Sequence, residues 1–142
     1  MKVGYENYIF ESMILDPYFD SVKDTIQMIG LRGQVDSFIM VMPFQGNQSK
    51  FYIPQSVGNQ QFIIQNTDIR EADKIARLVF DYYNDLVYKR LDLPLDVLTD
   101  VGLRSIMIAK STALSDPIYI GNQGDGNEQY SINFSMQIQE EF

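Results

Sequence analysis

The stretch from Asp68 to Arg90 constrains the fold more than any other, because its apolar residues Ala72, Ile75, Ala76, Val79, Tyr83 and Leu86 recur at three- and four-residue steps. That spacing puts them on one stripe of an α-helix. Arg70, Lys74, Arg77, Asp81 and Asp85 fall opposite, so the helix has a dry face and a wet one and must lie across a second layer. Asp68 is suited to accept hydrogen bonds from the unpaired N–H groups of the first turn, and Glu71 three residues later has the spacing of a capping box. The expected end is Leu93-Pro94, since the residue before a proline is pushed out of the helical region.

The second layer reads as a sheet. Val35 to Met42 is a β run whose Phe38-Ile39-Met40-Val41 core suggests burial on both faces and hence a central strand, closed by Pro43. Gln61 to Asn66 is a strand leading directly into the helix, and Leu103 to Lys110 is another. Tyr130 to Gln139 alternates cleanly, with Tyr130, Ile132, Phe134, Met136 and Ile138 on one face and Ser131, Asn133, Ser135, Gln137 and Gln139 on the other. It should be a half-buried antiparallel strand forming a hairpin with Leu103 to Lys110, and Pro117 to Asn127 should project as its tip.

Tyr5, Tyr8, Ile9, Met13 and Leu15 suggest a short packed helix. Phe19, Val22, Ile26 and Ile29 suggest a second one from Pro17 to Ile29, capped at Gly30 or Gly33. Leu95 to Val101 is expected to make a turn of helix. Residues 43–61, rich in amides and glycine around Phe51, Tyr52 and Ile53, read as a strand pair with extended turns or a protruding loop. Neighbouring strands flanking single helices predict one α+β domain over residues 1–142, a sandwich of an antiparallel or mixed β-sheet with two principal helices on one face. At 142 residues the chain can bury roughly two-thirds or more of its unfolded surface in one core.

Composition narrows the chemistry. The chain has neither cysteine nor histidine, which removes disulfides, thiolate nucleophiles, the commonest general base and the commonest transition-metal ligand. Nineteen acidic against eleven basic residues give a net charge of −8, which opposes autonomous binding to phosphate backbones or anionic membranes. No apolar run approaches a membrane span, and MKVGYENYIFES lacks the features of a secretory signal, so a cytoplasm-like space is expected. The cluster Glu6, Glu11, Asp16, Asp20 and Asp24 has the spacing of a solvated helix face rather than of a paired-carboxylate site. Gly121 to Asn127 lacks both the regular ligand ladder of a calcium loop and the Lys-Ser/Thr of a phosphate cradle, so it reads as a glycine-hinged hairpin loop. No catalytic, metal or cofactor site is assigned. The candidates for contact with a neighbouring subunit or partner are the loop aromatics and their apolar neighbours, Phe51, Tyr52, Ile53, Ile118, Tyr119 and Ile120, with Asn122 and Asp125 beside them.

From about Gln60 to Phe142 the pattern resembles the tail terminator proteins of long-tailed bacteriophages, including the branch called minor capsid or tail completion protein. The resemblance rests on the strand Phe62-Ile63-Ile64-Gln65-Asn66, the helix DIREADKIARLVFDYYNDL, the segment Pro117 to Gly121, and YSINFSM at Tyr130 to Met136. Where that family has a compact charged turn after the glycine, this chain has the longer, amide-rich stretch Asn122 to Asn127. The resemblance implies a virion protein at the head–tail junction, assembled in the host cytoplasm as a ring, a hexamer in that family, that caps the tail tube and meets the head connector or stopper. Double-stranded DNA would only pass through, with no cofactor and no reaction. A neck or stopper protein of the same particle, a monomeric protein-binding adaptor, and a carboxylate hydrolase are the alternatives from the sequence.

Overall fold

The computed structural model describes residues 3–28, 36–43, 55–122 and 126–140, with the backbone alone for 55–57. The fold is α+β: among the described residues two α-helices pack on a mixed, curled sheet of eight strands. In chain order these are α1 (Tyr5–Leu15), β1 (Ile26–Met28), β2 (Phe38–Pro43), β3 (Gln55–Val57), β4 (Gln60–Asn66), α2 (Ile69–Tyr83), β5 (Val87–Asp92), β6 (Ser105–Ala113), β7 (Ile118–Asn122) and β8 (Glu128–Gln139).

Strand β8 is the axis of the sheet. On one side it pairs antiparallel with β4, from Asn66↔Glu128 to Gln60↔Phe134, and the same register continues through β3, from Val57↔Gln137 to Gln55↔Gln139. Gly58 N–H donates to Met136 C=O at 2.8 Å across the gap between them. On the other side β8 pairs with β7 at its start and with β6 at its end. The main path of the sheet is β1-β2-β4-β8-β6-β5, and among the described residues only the β1–β2 pair is parallel. The hairpin of β6 with β8 is therefore as expected from the alternation, whereas the stretch Pro117 to Asn127 does not simply project. Its first half is β7, which folds back onto β8, and positive φ at Gly121 (102°) permits the register shift there.

The alternation in β8 decides the core. Ile132, Phe134, Met136 and Ile138 are all fully buried, facing Phe62 and Ile64 of β4, Ile39 and Val41 of β2, and Ile106 and Ile108 of β6 in one cluster. Over this face lies α2, with Ala72, Ala76, Val79 and Tyr83 buried. Helix α1 adds Tyr8, Ile9 and Met13. It touches β1 and β2 at one end of the sheet and β5 at the other, so the sheet curls around it. Strand β2 is interior, and Phe38 to Val41 are buried on both faces as its composition predicts.

Helix α2 starts where the sequence places it. Asp68 Oδ1 accepts from Arg70 N–H at 2.9 Å, while the Asp68 N–H is taken by Asn66 Oδ1 at 3.0 Å rather than by the Glu71 expected from a capping box. It ends earlier than Pro94 predicts. Asn84 closes it, Asp85 takes a left-handed φ of 61°, and the Asn84 and Leu86 acceptors are claimed by the Ala113 and Ser111 N–H groups of β6. Residues 87–90, expected in the helix, instead form β5, and Leu86 packs against the core from the turn.

The expected helix from Pro17 to Ile29 is also replaced. Two 3-10 turns, Pro17–Phe19 and Lys23–Thr25, lead into β1. The cause is an aromatic cluster: Phe19 is fully buried with its ring 4.9 Å from Tyr82, and Tyr18 OH donates to the Leu78 C=O of α2 at 2.7 Å. Two short turns bring both rings onto α2. Leu95 to Val101 makes turns and bends rather than helix, held by Arg104, which donates to the carbonyls of Pro94, Val97 and Leu98. Residues 44–54, with Phe51, Tyr52 and Ile53, lie outside the described residues, as do Gly30, Gly33 and Asp125.

Because Val79 is fully buried at the centre of the α2 stripe, Val79→Asp puts an unpaired charge in the core at a cost of several kcal/mol, a large share of the roughly 5–15 kcal/mol that holds a domain. The expected outcome is loss of the folded circular-dichroism signal, and a cooperative melt near that of the wild type would contradict the packing described.

Candidate assembly interface

Strand β7 brings four of the predicted contact residues together. Ile118, Tyr119 and Ile120 are 45%, 46% and 43% exposed, and Leu114, just before the strand, is 55% exposed. Among the described residues β7 pairs only with β8, so its outer edge offers backbone N–H and C=O groups flanked by apolar side chains. The strand is held firmly from within. Tyr119 packs edge-on against Tyr130 with ring centroids 5.5 Å apart, its hydroxyl donates to Glu128, and Asn122 Nδ2 reaches the other oxygen of that carboxylate at 3.4 Å. The bond to Glu128, then desolvation, raises the pKa of Tyr119. Tyr119 and Asn122 thus brace the hairpin, while Ile118, Ile120 and Leu114 are left facing solvent.

A second surface was not foreseen. An open cleft of about 340 Å³ is lined by Ser12, Leu15, Asp16 and Pro17 at the end of α1 and by Lys89, Arg90, Leu91 and Asp92 of β5. Four consecutive strand residues point alternately to the two faces of a sheet, so a cleft lined by all four runs along the backbone edge of β5. Around it Leu15, Val87 and Tyr88 are 69%, 50% and 75% exposed. Tyr88 has a φ of 53°, uncommon for an aromatic residue, and it drops out of the ladder between Val87↔Lys110 and Lys89↔Ile108. The signal for this surface lay in Val87-Tyr88, a β-favouring pair, and was hidden by reading the helix through to Arg90.

The carboxylates of the cleft are occupied. Asp16 accepts from Tyr82 OH at 2.5 Å and from the Tyr18 N–H at 2.9 Å. Burial pushes its pKa up, but these two bonds and the charge of Lys89 outweigh that, and the net shift is downward. Asp92 is also held low, by bonds from Ser105 and Arg90. Acid–base work by paired carboxylates needs their pKa values pushed apart, and here both move down together. Among the described residues no group of three or more acidic side chains is placed to hold a metal, and no helix is long and apolar enough to cross a membrane.

The sequence matches no protein-family model. No curated protein matches it either. Among solved structures, a chain without a descriptive name is similar over 94% of this chain and 91% of its own length, at 12% identity and a TM-score of 0.45, a likeness too slight to carry an argument.

The Asp16–Tyr82 bond ties the start of the 3-10 turns to α2 and makes stability depend on pH. A carboxylate whose pKa is lowered by folding stabilises the native state above its unfolded value of about 3.9, and that contribution is lost as pH falls through the folded value. Asp16→Asn keeps a capping side chain but removes the charge, so it should cost about 1 kcal/mol at pH 7 and flatten the acid limb of stability against pH. Urea melts of both proteins between neutral and acid pH read this directly, and parallel acid limbs would remove the assigned role.

Proposed function

We propose that this protein is a structural subunit that assembles with copies of itself into a ring, and that the ring is the tail terminator of a long-tailed bacteriophage, seated between tail tube and head connector. The observation that carries the reading is the outer edge of β7. An apolar strand edge left open is a hazard that proteins ordinarily blunt or cover, and Ile118 and Ile120 are half-exposed along it. A neighbouring subunit would cover it.

Two further features support the reading. The resemblance in the α2 and β8 stretches points to a chain with no reaction of its own, and the two carboxylates of the cleft are already held as anions by their own neighbours. The net charge of −8 also suits a passage for DNA, since a wall that repels phosphate does not hold the moving duplex.

The double substitution Ile118→Lys with Ile120→Lys tests the reading. Both side chains are exposed, so folding stability should change by no more than about 0.5 kcal/mol for each. Native mass spectrometry, with and without tail tube protein, should find rings of the wild type and monomers of the variant. A wild type that stays monomeric under both conditions at every concentration overturns the proposal and favours a single-partner adaptor.

A further inference from the structure

We propose that the β7 edge of one copy pairs with the β5 edge of the next, extending the sheet across the subunit boundary. This rests on the ring reading and adds which two surfaces meet. Both edges are open among the described residues, at five and six residues they are matched in length, and both carry exposed apolar side chains: Ile118, Ile120 and Leu114 on one, Val87, Tyr88 and Leu15 on the other.

Charge selects the pairing. The described residues of the β7 hairpin between 114 and 130 contain Asp116 and Glu128 and no basic residue. The β5 edge, the strand beside it and the cleft present Lys89, Arg90 and Lys110 against the carboxylates of Asp16 and Asp92, a small excess of positive charge in a chain that is otherwise acidic. Two β7 edges would set carboxylates against carboxylates, and two β5 edges would bring together surfaces with the same small positive excess. The unlike pair alone is attractive, so each edge rejects its own kind.

The free side of β1, at the far end of the main path, is a poor competitor. Strand β1 is three residues long and is preceded by Asp20 and Asp24 against Lys23, a net negative approach for an acidic strand. At β5 the cleft beside Lys89 to Asp92 leaves room for side chains of an entering strand, and Leu15 and Pro17 give it an apolar wall. Beyond the interruption at Tyr88 the backbone of Lys89 to Asp92 runs in regular register with β6, so its outer groups are spaced as a ladder requires.

The absence of cysteine makes the test clean. Val87→Cys and Ile120→Cys each introduce one thiol at an exposed position. With a short bis-maleimide, a mixture of the two proteins should give cross-linked dimer several-fold above either protein alone. Lys89→Glu in the Val87→Cys protein should cut that yield several-fold, and adding Asp116→Lys to its Ile120→Cys partner should restore it. Dimer from Ile120→Cys alone or from Val87→Cys alone shows like edges meeting and overturns the inference. Rings in native mass spectrometry of the wild type without the mixed cross-link overturn the edge assignment and leave the ring reading standing. A mixed cross-link together with open chains but no closed ring in native mass spectrometry of the wild type supports the edge assignment and overturns the terminator. Monomer alone, without cross-link, overturns both.

Discussion

Strand β8 can stay a strand only because both of its edges are filled along most of its length. Twelve residues in extended conformation expose a long row of backbone donors and acceptors, and any of these buried without a partner costs on the order of 1–3 kcal/mol. The chain meets this with two interrupted strands, β3 with β4 on one side and β6 with β7 on the other. Once β8 is held, its inward face of Ile132, Phe134, Met136 and Ile138 sets where α2 must lie. Phe134 is the contact point, with Tyr83 at 5.8 Å and Phe80 at 6.4 Å between ring centroids. A slip of one residue in β8 would turn all four apolar groups outward.

The two interruptions have different local causes. Between β3 and β4, Gly58 lies so close to α1 that a Cβ there would stand 2.5 Å from the Tyr5 ring and 3.1 Å from Ile138. The backbone must be bare for α1 to cross at that point, and Tyr5 OH is then anchored on Glu140 at 2.7 Å, just past the end of β8. Between β6 and β7, the Leu114 N–H still donates to the Asn133 C=O of β8 at 2.9 Å with its side chain in solvent, and residues 115–117 then leave the ladder just before β7 begins. The exposed apolar corner follows from the way the second edge is filled.

What the sequence made legible were features governed by periodicity over many residues. The alternation of β8, the stripe of α2 and the burial of β2 on both faces each depend on several side chains agreeing, and such agreement survives tertiary context. Positions settled by one or two contacts were not legible. Nothing local says that Asn84 and Leu86 will be claimed by the N–H groups of Ala113 and Ser111, yet those bonds end α2 and turn Val87 into a strand. Phe19 has helical spacing to Val22, but its attraction to Tyr82 and Tyr83 across the core outweighs weak helix propensity in a stretch holding Ser21, Val22 and Thr25. Half of the candidate interface was readable for the same reason. Ile118 to Ile120 announce themselves as an apolar run amid polar residues, whereas the β5 edge exists only once the helix is known to stop at Tyr83.

An interface built from two short unlike edges has consequences for how the subunits would come together. A pair of strands five or six residues long is marginal in water on its own, so one β5–β7 contact would hold two subunits weakly. Because the two surfaces differ, each added subunit would leave one edge of each kind open, and growth would continue in one direction until the rotation between neighbours closed it. Closure gives every subunit two contacts instead of one, and the last contact forms within a single assembly, where its partner is held at high local concentration. Separate subunits would then stay apart while dilute, kept soluble by the net charge of −8. A template with matching symmetry, such as the open end of a tail tube, would raise the local concentration of subunits and favour the ring at that place.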